Sequence, residues 1–288
     1  MQFQIHHRLE YSYERPVFLE PTTLRLTPRH DAMQRLLSHR LTVDPPPAGR
    51  APVLEADGHP AEVLWFDAPR QRLTITVEMA VETLRNNPFD WIVTHGPAMS
   101  LPVSYPEAEQ RSLAGSRDAT DVPPPVAAWA AERAREVDGR VTDFLMHLAD
   151  TIHHGFQHVG RLEGEALPPA TTLAERRGAC RDTALLYVAA CRSLGLAARF
   201  VSGYSMHHPP EVTEHELHAW AEVYVPGGGW RGYDPSLGLA VADGHVVLAA
   251  SPDPRLAAPF SGHYRGTGVG SRMTYAVNLR TNPGGDPP

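Results

Sequence analysis

Three residues can do chemistry together: Cys180, His218 and Asp234. Cys180 lies in Gly178-Ala179-Cys180-Arg181-Asp182, opening an apolar segment that runs to Leu194. A thiol at a helix N-terminus sits at the positive end of the helix dipole. The first N–H groups there lack intrahelical acceptors, and both effects favour the thiolate. The same N–H groups can receive an oxyanion. Gly178 removes side-chain bulk just ahead of the thiol. His218 follows 38 residues later at the start of a run to Val225, and Asp234 comes 16 residues after that. In this order the imidazole can take the thiol proton and return it to a leaving amine, while the carboxylate fixes the ring tautomer. The corresponding reaction is attack on an amide or peptide carbonyl, giving a thioester that water or a second amine resolves. Each residue also has a plainer reading on its own. Cys180 can be a small buried hydrophobe, His218 an edge histidine, and Asp234-Pro235 a turn initiator.

Other residues are candidates for the surrounding pocket. Gln157, in Phe156-Gln157-His158, can supply a side-chain oxyanion donor. Arg181 and Asp182 follow the thiol directly, and Asp182 is the alternative acid for the imidazole. Trp220 shares a strand face with His218, as do Glu222 and Tyr224, because side chains alternate. His207, His208, His215 and His218 lie close in sequence, but no matched Cys, Asp or Glu spacing accompanies them, so no metal is expected. Gly266-x-Gly268-x-Gly270 precedes a strand rather than opening a helix, which argues against a phosphate cradle. No cofactor is expected. Cys191 falls within the apolar segment and reads as core.

The acid imposes a condition on the hairpin. If residues 226–229 all formed the loop, Val225 would oppose Trp230, and Asp234 would fall opposite Ala221, on the face away from His218. The triad needs Asp234 opposite His218 or Trp220, and hence an odd-length loop or a bulge near Gly227-Gly228-Gly229.

The elements that must position these residues fall into an order. Residues 1–95 alternate as strands: Ile5, Leu9, Tyr11 and Tyr13; Leu24 and Leu26; Leu41 and Val43; Leu73, Ile75, Val77 and Met79. They read as an N-terminal antiparallel β domain without catalytic groups. Residues 96–125, rich in Pro, Gly, Ser and Ala, read as a connector, and residues 126–288 as a catalytic core. Within the core, Val141, Phe144, Leu145, Leu148 and Ile152 mark one helix face. Arg181 to Leu194 is a buried helix stopped by Gly195. Strands follow over 198–204, 218–225, 230–234 and 273–279. The fold class is α+β, with a helix bearing Cys180 packed on an antiparallel sheet.

Composition excludes several alternatives. The 288 residues carry 26 basic against 33 acidic side chains, a net charge of −7, which does not suit a nucleic-acid binder. Every basic residue is Arg, so the chain offers no lysine as an acceptor for its own crosslinking. No apolar run is long enough to span a bilayer, and no basic-then-apolar leader opens the chain. With two cysteines, the expected setting is a reducing cytoplasm.

Taken together, Cys180-Arg181-Asp182, Leu194 to Tyr204, His218-Ala219-Trp220 and Gly229-Trp230 with Asp234-Pro235 resemble the core of the transglutaminase-like superfamily. The N-terminal half is similar to the β domain preceding this core in many bacterial members, through His7, Tyr11, Tyr13, Leu24-Arg25-Leu26, Pro28-Arg29 and Asn87-Pro88-Phe89-Asp90. The resemblance implies a papain-like core and a Cys–His–Asp enzyme: a peptidase or amidase, or a transamidase if an amine accepts the acyl group. Its partners would be a peptide or amide substrate and an amine acceptor. The other class of protein compatible with this fold is a non-catalytic binding or assembly protein. Bacterial members commonly have Gln, Asp, a bulky aromatic, Ala and His after the nucleophile. This chain has Arg181, Asp182, Thr183, Ala184 and Leu185, which implies an altered pocket, open to an anionic group near Arg181.

Overall fold

The structure is a computed structural model that describes residues 1–161, 164–207 and 216–282. The N-terminal strands are β1 (Gln2–Leu19), β2 (Thr22–Leu24), β3 (Gln34–Asp44), β4 (Gly49–Leu54), β5 (Pro60–Trp65) and β6 (Arg70–Thr83). Along the first half of β1, Phe3, Ile5, His7 and Leu9 are buried and the residues between them are exposed, the pattern of a sheet with one wet face. β6 pairs with it antiparallel, setting Ile75 against Leu9 and Met79 against Ile5, and β3 flanks β6 on its other edge.

Among the described residues six α-helices follow: α1 (Glu107–Ser112), α2 (Ala114–Arg117), α3 (Pro124–Arg135), α4 (Val141–Gly155), α5 (Pro169–Glu175) and α6 (Cys180–Ser193). The stretch 96–125 therefore holds short helices of its own. A two-stranded parallel pair, β7 (Gln157–His158) and β8 (Arg177–Gly178), ties the end of α4 to the start of α6. On α4 the five apolar residues at helical spacing are all buried. α6 ends in a Schellman motif: Leu196 N–H donates to Cys191 O at 3.1 Å and Gly195 N–H to Arg192 O at 3.0 Å. Gly195 takes φ +81°, a conformation that favours glycine.

The second large sheet comprises β9 (Ala198–Ser205), β10 (Leu217–Val225), β11 (Gly229–Asp234), β12 (Leu239–Ala240) and β13 (His245–Ser251) in the order β12-β11-β10-β9-β13. Ala221, Val223 and Val225 of β10 pack with Leu186, Tyr187 and Val188 of α6 and Phe144, Leu145 and Leu148 of α4 in one core. The opposite face of β10 carries His218, Trp220, Glu222 and Tyr224.

Short strands β14 (Phe260–Ser261) and β15 (Tyr264–Arg265) precede the final β16 (Ser271–Asn282). Sequence order places β16 with the core. It instead pairs with β1 from Gln2↔Asn282 to Tyr13↔Ser271. The reason is the free edge of β1: with β6 on one side, its other row of backbone groups needs a partner. The two halves share further contacts. Tyr204, Val246 and Leu248 join the N-terminal core, and the buried Glu222 carboxylate lies between Arg29 at 2.9 Å and Arg199 at 2.6 Å. Among the described residues, no helix is long and apolar enough to cross a membrane.

Candidate active site

Cys180 is the first residue of α6, half-buried against Ala184, Phe200, Ala219, Ala249 and Ala257. Asp182, two residues on, builds the helix start. Its Oδ2 accepts Ala179 N–H at 2.8 Å, and its Oδ1 accepts Leu167 N–H at 2.8 Å and the Arg161 guanidinium at 2.5 Å. Gly178 is needed for this cap, because a Cβ there would stand 2.8 Å from Asp182 Cβ.

His218 lies at the start of β10 and bridges two groups. Its Nε2 meets Asp234 Oδ2 at 2.6 Å, and the Cys180 thiol lies near enough to favour the charged ring. With Nε2 committed to the carboxylate, Nδ1 is the nitrogen left for sulfur. Asp234 is fully buried. Its Oδ1 accepts Ser236 N–H at 3.0 Å, Ser236 Oγ–H at 2.7 Å and Leu237 N–H at 3.3 Å. Its Oδ2 takes a second imidazole, His245 Nε2, at 3.0 Å. Sequence reasoning misses His245. Its signal is the one that marks His218: a histidine opening an apolar strand, here His245-Val246-Val247-Leu248 just after Asp243-Gly244.

Burial disfavours charge on all three groups, and their partners overcome it for two of them. For His218, Asp234 and then Cys180 outweigh burial and lift the imidazole well above its usual range. For Asp234, burial opposes ionisation, but His218 and His245 hold the carboxyl far below the usual range. For His245, burial prevails over the help of Asp234, aided by His218 and His207, and the ring is pushed down toward its neutral form. A neutral His245 bonded to a carboxylate must carry its proton on Nε2 and donate it.

His218, Asp234 and His245 form the group of three possible metal donors found among the described residues, their atoms within 4.8 Å of one another. The separations of 2.6 and 3.0 Å are those of N–H···O hydrogen bonds, and the Nε2 protons occupy the lone pairs a cation would need. The trio is thus built for hydrogen bonding. His208 and His215, of the histidine-rich stretch, lie outside the described residues.

The pocket candidates divide. Arg181 is half-buried and close enough to Cys180 to feel its charge. Burial and then Arg161 disfavour its protonation, while Cys180, Asp182 and Glu216 act the other way. Gln157 is exposed on β7, whose partner strand leads into Cys180. Asp182 is not available to the imidazole, since it is fully buried and spent on the helix start. Trp220 is also fully buried, so it backs the site instead of lining its mouth. Its ring lies 6.1 Å from that of His218 and meets His245 edge-on at 5.1 Å. Gly203 on β9 leaves the space for this: a Cβ there would fall 2.7 Å from Trp220 Cη2 and 2.0 Å from Val246 O.

Comparison with known proteins agrees with this architecture. Residues 3–82 match the bacterial transglutaminase-like N-terminal region, and residues 129–235 match the transglutaminase-like superfamily. An uncharacterized protein of Mycobacterium tuberculosis H37Rv is 29% identical over 265 residues, covering 88% of this chain and 84% of that protein. One from Mycobacterium leprae is 28% identical over 278 residues, covering 93% and 95%. The fold is similar to a crystal structure from Cytophaga hutchinsonii described as a candidate cysteine protease. The TM-score is 0.74 at 20% identity, covering 99% of this chain and 92% of that one. The chain belongs to the transglutaminase-like superfamily, in the bacterial arrangement with a transglutaminase-like N-terminal region ahead of the core.

Proposed function

We propose that this protein is a thiol acyl-transfer enzyme acting on amide or peptide bonds. Cys180 Sγ attacks the carbonyl carbon as His218 Nδ1 takes the thiol proton. Asp234 holds the ring through Nε2–H and stabilises the imidazolium. The carbonyl oxygen gains charge at the N–H groups of the first turn of α6. Collapse breaks the C–N bond, the imidazolium proton leaves with the amine, and a thioester remains on Cys180. Water or a second amine then attacks that thioester, with His218 taking its proton and returning one to sulfur. Hydrolysis makes the enzyme a peptidase or amidase, and an amine acceptor makes it a transamidase. Arg181 beside the thiol favours an anionic group near the reacting carbonyl. A reducing, cytoplasmic setting suits a chain in which both cysteines are free.

The observation that supports this reading most is the single imidazole joining the thiol to a buried carboxylate at 2.6 Å. The test is mass spectrometry of the intact protein after incubation with peptide and amide libraries. An acyl adduct on Cys180, absent from Cys180→Ala, supports the reading. No adduct from any donor, with substrates merely retained by both proteins, would favour a binding protein.

A further inference from the structure

The second imidazole on Asp234 has no part in that reaction scheme, yet its residue is buried, at 3% exposure. It reaches the carboxylate from the far edge of the sheet. His245 pairs with Ser205 of β9, and two strands, β9 and β10, lie between its own strand and the β11 strand that carries Asp234. Gly203 and Trp220 lie along the path between them. Just after His245, β13 carries a register shift between Val247 and Ala249. The N-terminal half holds the backbone there: Gln34 Nε2–H donates to Val247 O and Gln34 Oε1 accepts Val247 N–H, both at 2.8 Å. A buried polar side chain placed at such length, with its backbone clamped, ends on one oxygen atom.

We infer that His245 is a positioning residue of this site, donating Nε2–H to Asp234 Oδ2 and so dividing with His218 the charge of one carboxylate oxygen. The inference rests on the acyl-transfer reading for its purpose, though not for its test. Oδ1 is already filled by Ser236 and Leu237. The two imidazoles therefore compete for Oδ2, at 2.6 Å for His218 and 3.0 Å for His245. The groups facing His245 are Asp234, His218 and His207, with Trp220 at its edge. Those facing His218 are Cys180, Asp234, His245 and Trp220. Withdrawing the His245 donor leaves more of the carboxylate charge to His218. Its imidazolium then keeps the proton to higher pH and returns it less readily to a leaving group.

The experiment compares His245→Gln with His245→Asn in the full chain. The two amides share their chemistry and differ in reach: the Gln Nε2–H extends to about where the imidazole Nε2–H ends, and the Asn Nδ2–H stops short. The readout is the pH profile of Cys180 alkylation by iodoacetamide, which requires no substrate. Failure of the acyl-transfer reading, seen as the absence of any wild-type thioester, is therefore separable from failure of this inference. The upper inflection, where the imidazolium is lost, should match wild type in the Gln variant. In the Asn variant it should move up by about half a unit or more. Profiles coincident in all three proteins would overturn the inference, as would equal displacement in both variants. If the Asn variant does not fold, His245→Ala takes its place as the variant without the donor, with the same upward displacement expected and a profile coincident with wild type overturning the inference.

Discussion

Ala221 pairs with Tyr233 across the hairpin of β10 and β11, so the next step sets Asp234 opposite Trp220 and diagonal to His218. Val225 pairs with Gly229, which leaves Pro226, Gly227 and Gly228 as a three-residue loop. This odd length puts the carboxylate on the same face as the imidazole. Pro226 and Gly227 form a tight turn, with Gly228 N–H donating to Val225 O at 2.8 Å and Gly227 at φ +87°. The segment after the N-terminal strands braces it, since Thr94 N–H donates to Pro226 O at 3.1 Å. The motif Asn87-Pro88-Phe89-Asp90 thus leads directly to the turn that sets the acid in register.

Asp234→Asn should lower turnover by about 10²–10⁴-fold in a protein that still folds. The amide replaces an acceptor that takes donors on both oxygens, so one NH₂ must face an N–H or O–H group. His218 loses the partner that fixes its tautomer. Steady-state kinetics on any substrate identified by thioester trapping measures this. A loss below about threefold would remove Asp234 from the mechanism.

Gly203→Ala should harm both stability and activity, whereas Gly96→Ala should be nearly silent. The added methyl at Gly203 would meet backbone, Val246 O at 2.0 Å, as well as the Trp220 ring, and neither can yield without moving β13 or the ring that packs beside His218 and His245. Nothing lies within 4 Å of the corresponding position at Gly96. Overpacking of this kind costs about 1–3 kcal/mol. Urea unfolding of the two variants provides the comparison, and equal midpoints would contradict it.

The two thiols should separate cleanly under alkylation. Cys180 is half-buried at a helix start beside His218, while Cys191 is fully buried and its thiol is pushed far up by that burial. Native protein should take one equivalent of iodoacetamide, mapped to Cys180 by peptide mass spectrometry. The second should react only after unfolding. Modification of Cys191 in the folded chain would show that the core around α6 opens far more readily than its packing implies.

The sequence carried much of this site in local form. The glycine before Cys180, the helical stripe on α4, the stop at Gly195 and the alternation through β10 are short-range patterns, and each matches the element found. The parity of the loop could be posed as a condition but not resolved, because three consecutive glycines allow either count. Contacts between distant segments left no such trace. β16 finds the edge of β1 across almost the whole chain, and Gln34 meets Val247 across 213 residues. Asp182, two residues after Cys180, reads as a site residue because sequence proximity does not say which way a first-turn side chain faces. It faces back to cap the helix.

His7 should make the protein acid-sensitive in a defined window. It lies on β1, 1% exposed, with Nδ1 2.8 Å from the Tyr204 hydroxyl on β9, next to Gly203. It therefore sits where the N-terminal sheet meets the sheet that carries the site. Burial, with a smaller push from His6, lowers its pKa from 6.5 to about 4. The folded state thus binds fewer protons than the unfolded state between those values, and stability rises with pH across the window. The contribution of neutral His7 is complete above about pH 6.5 and is lost progressively as pH falls toward about 4. One group crossing that interval accounts for at most about 3 kcal/mol. His7→Gln does not titrate there, so its unfolding free energy should fall less steeply than wild type from pH 6.5 to 4. The two slopes should agree above pH 7. Equal slopes through the acid window would mean that His7 is protonated in the folded protein, and that the contact with Tyr204 does not hold the two sheets together through a neutral ring.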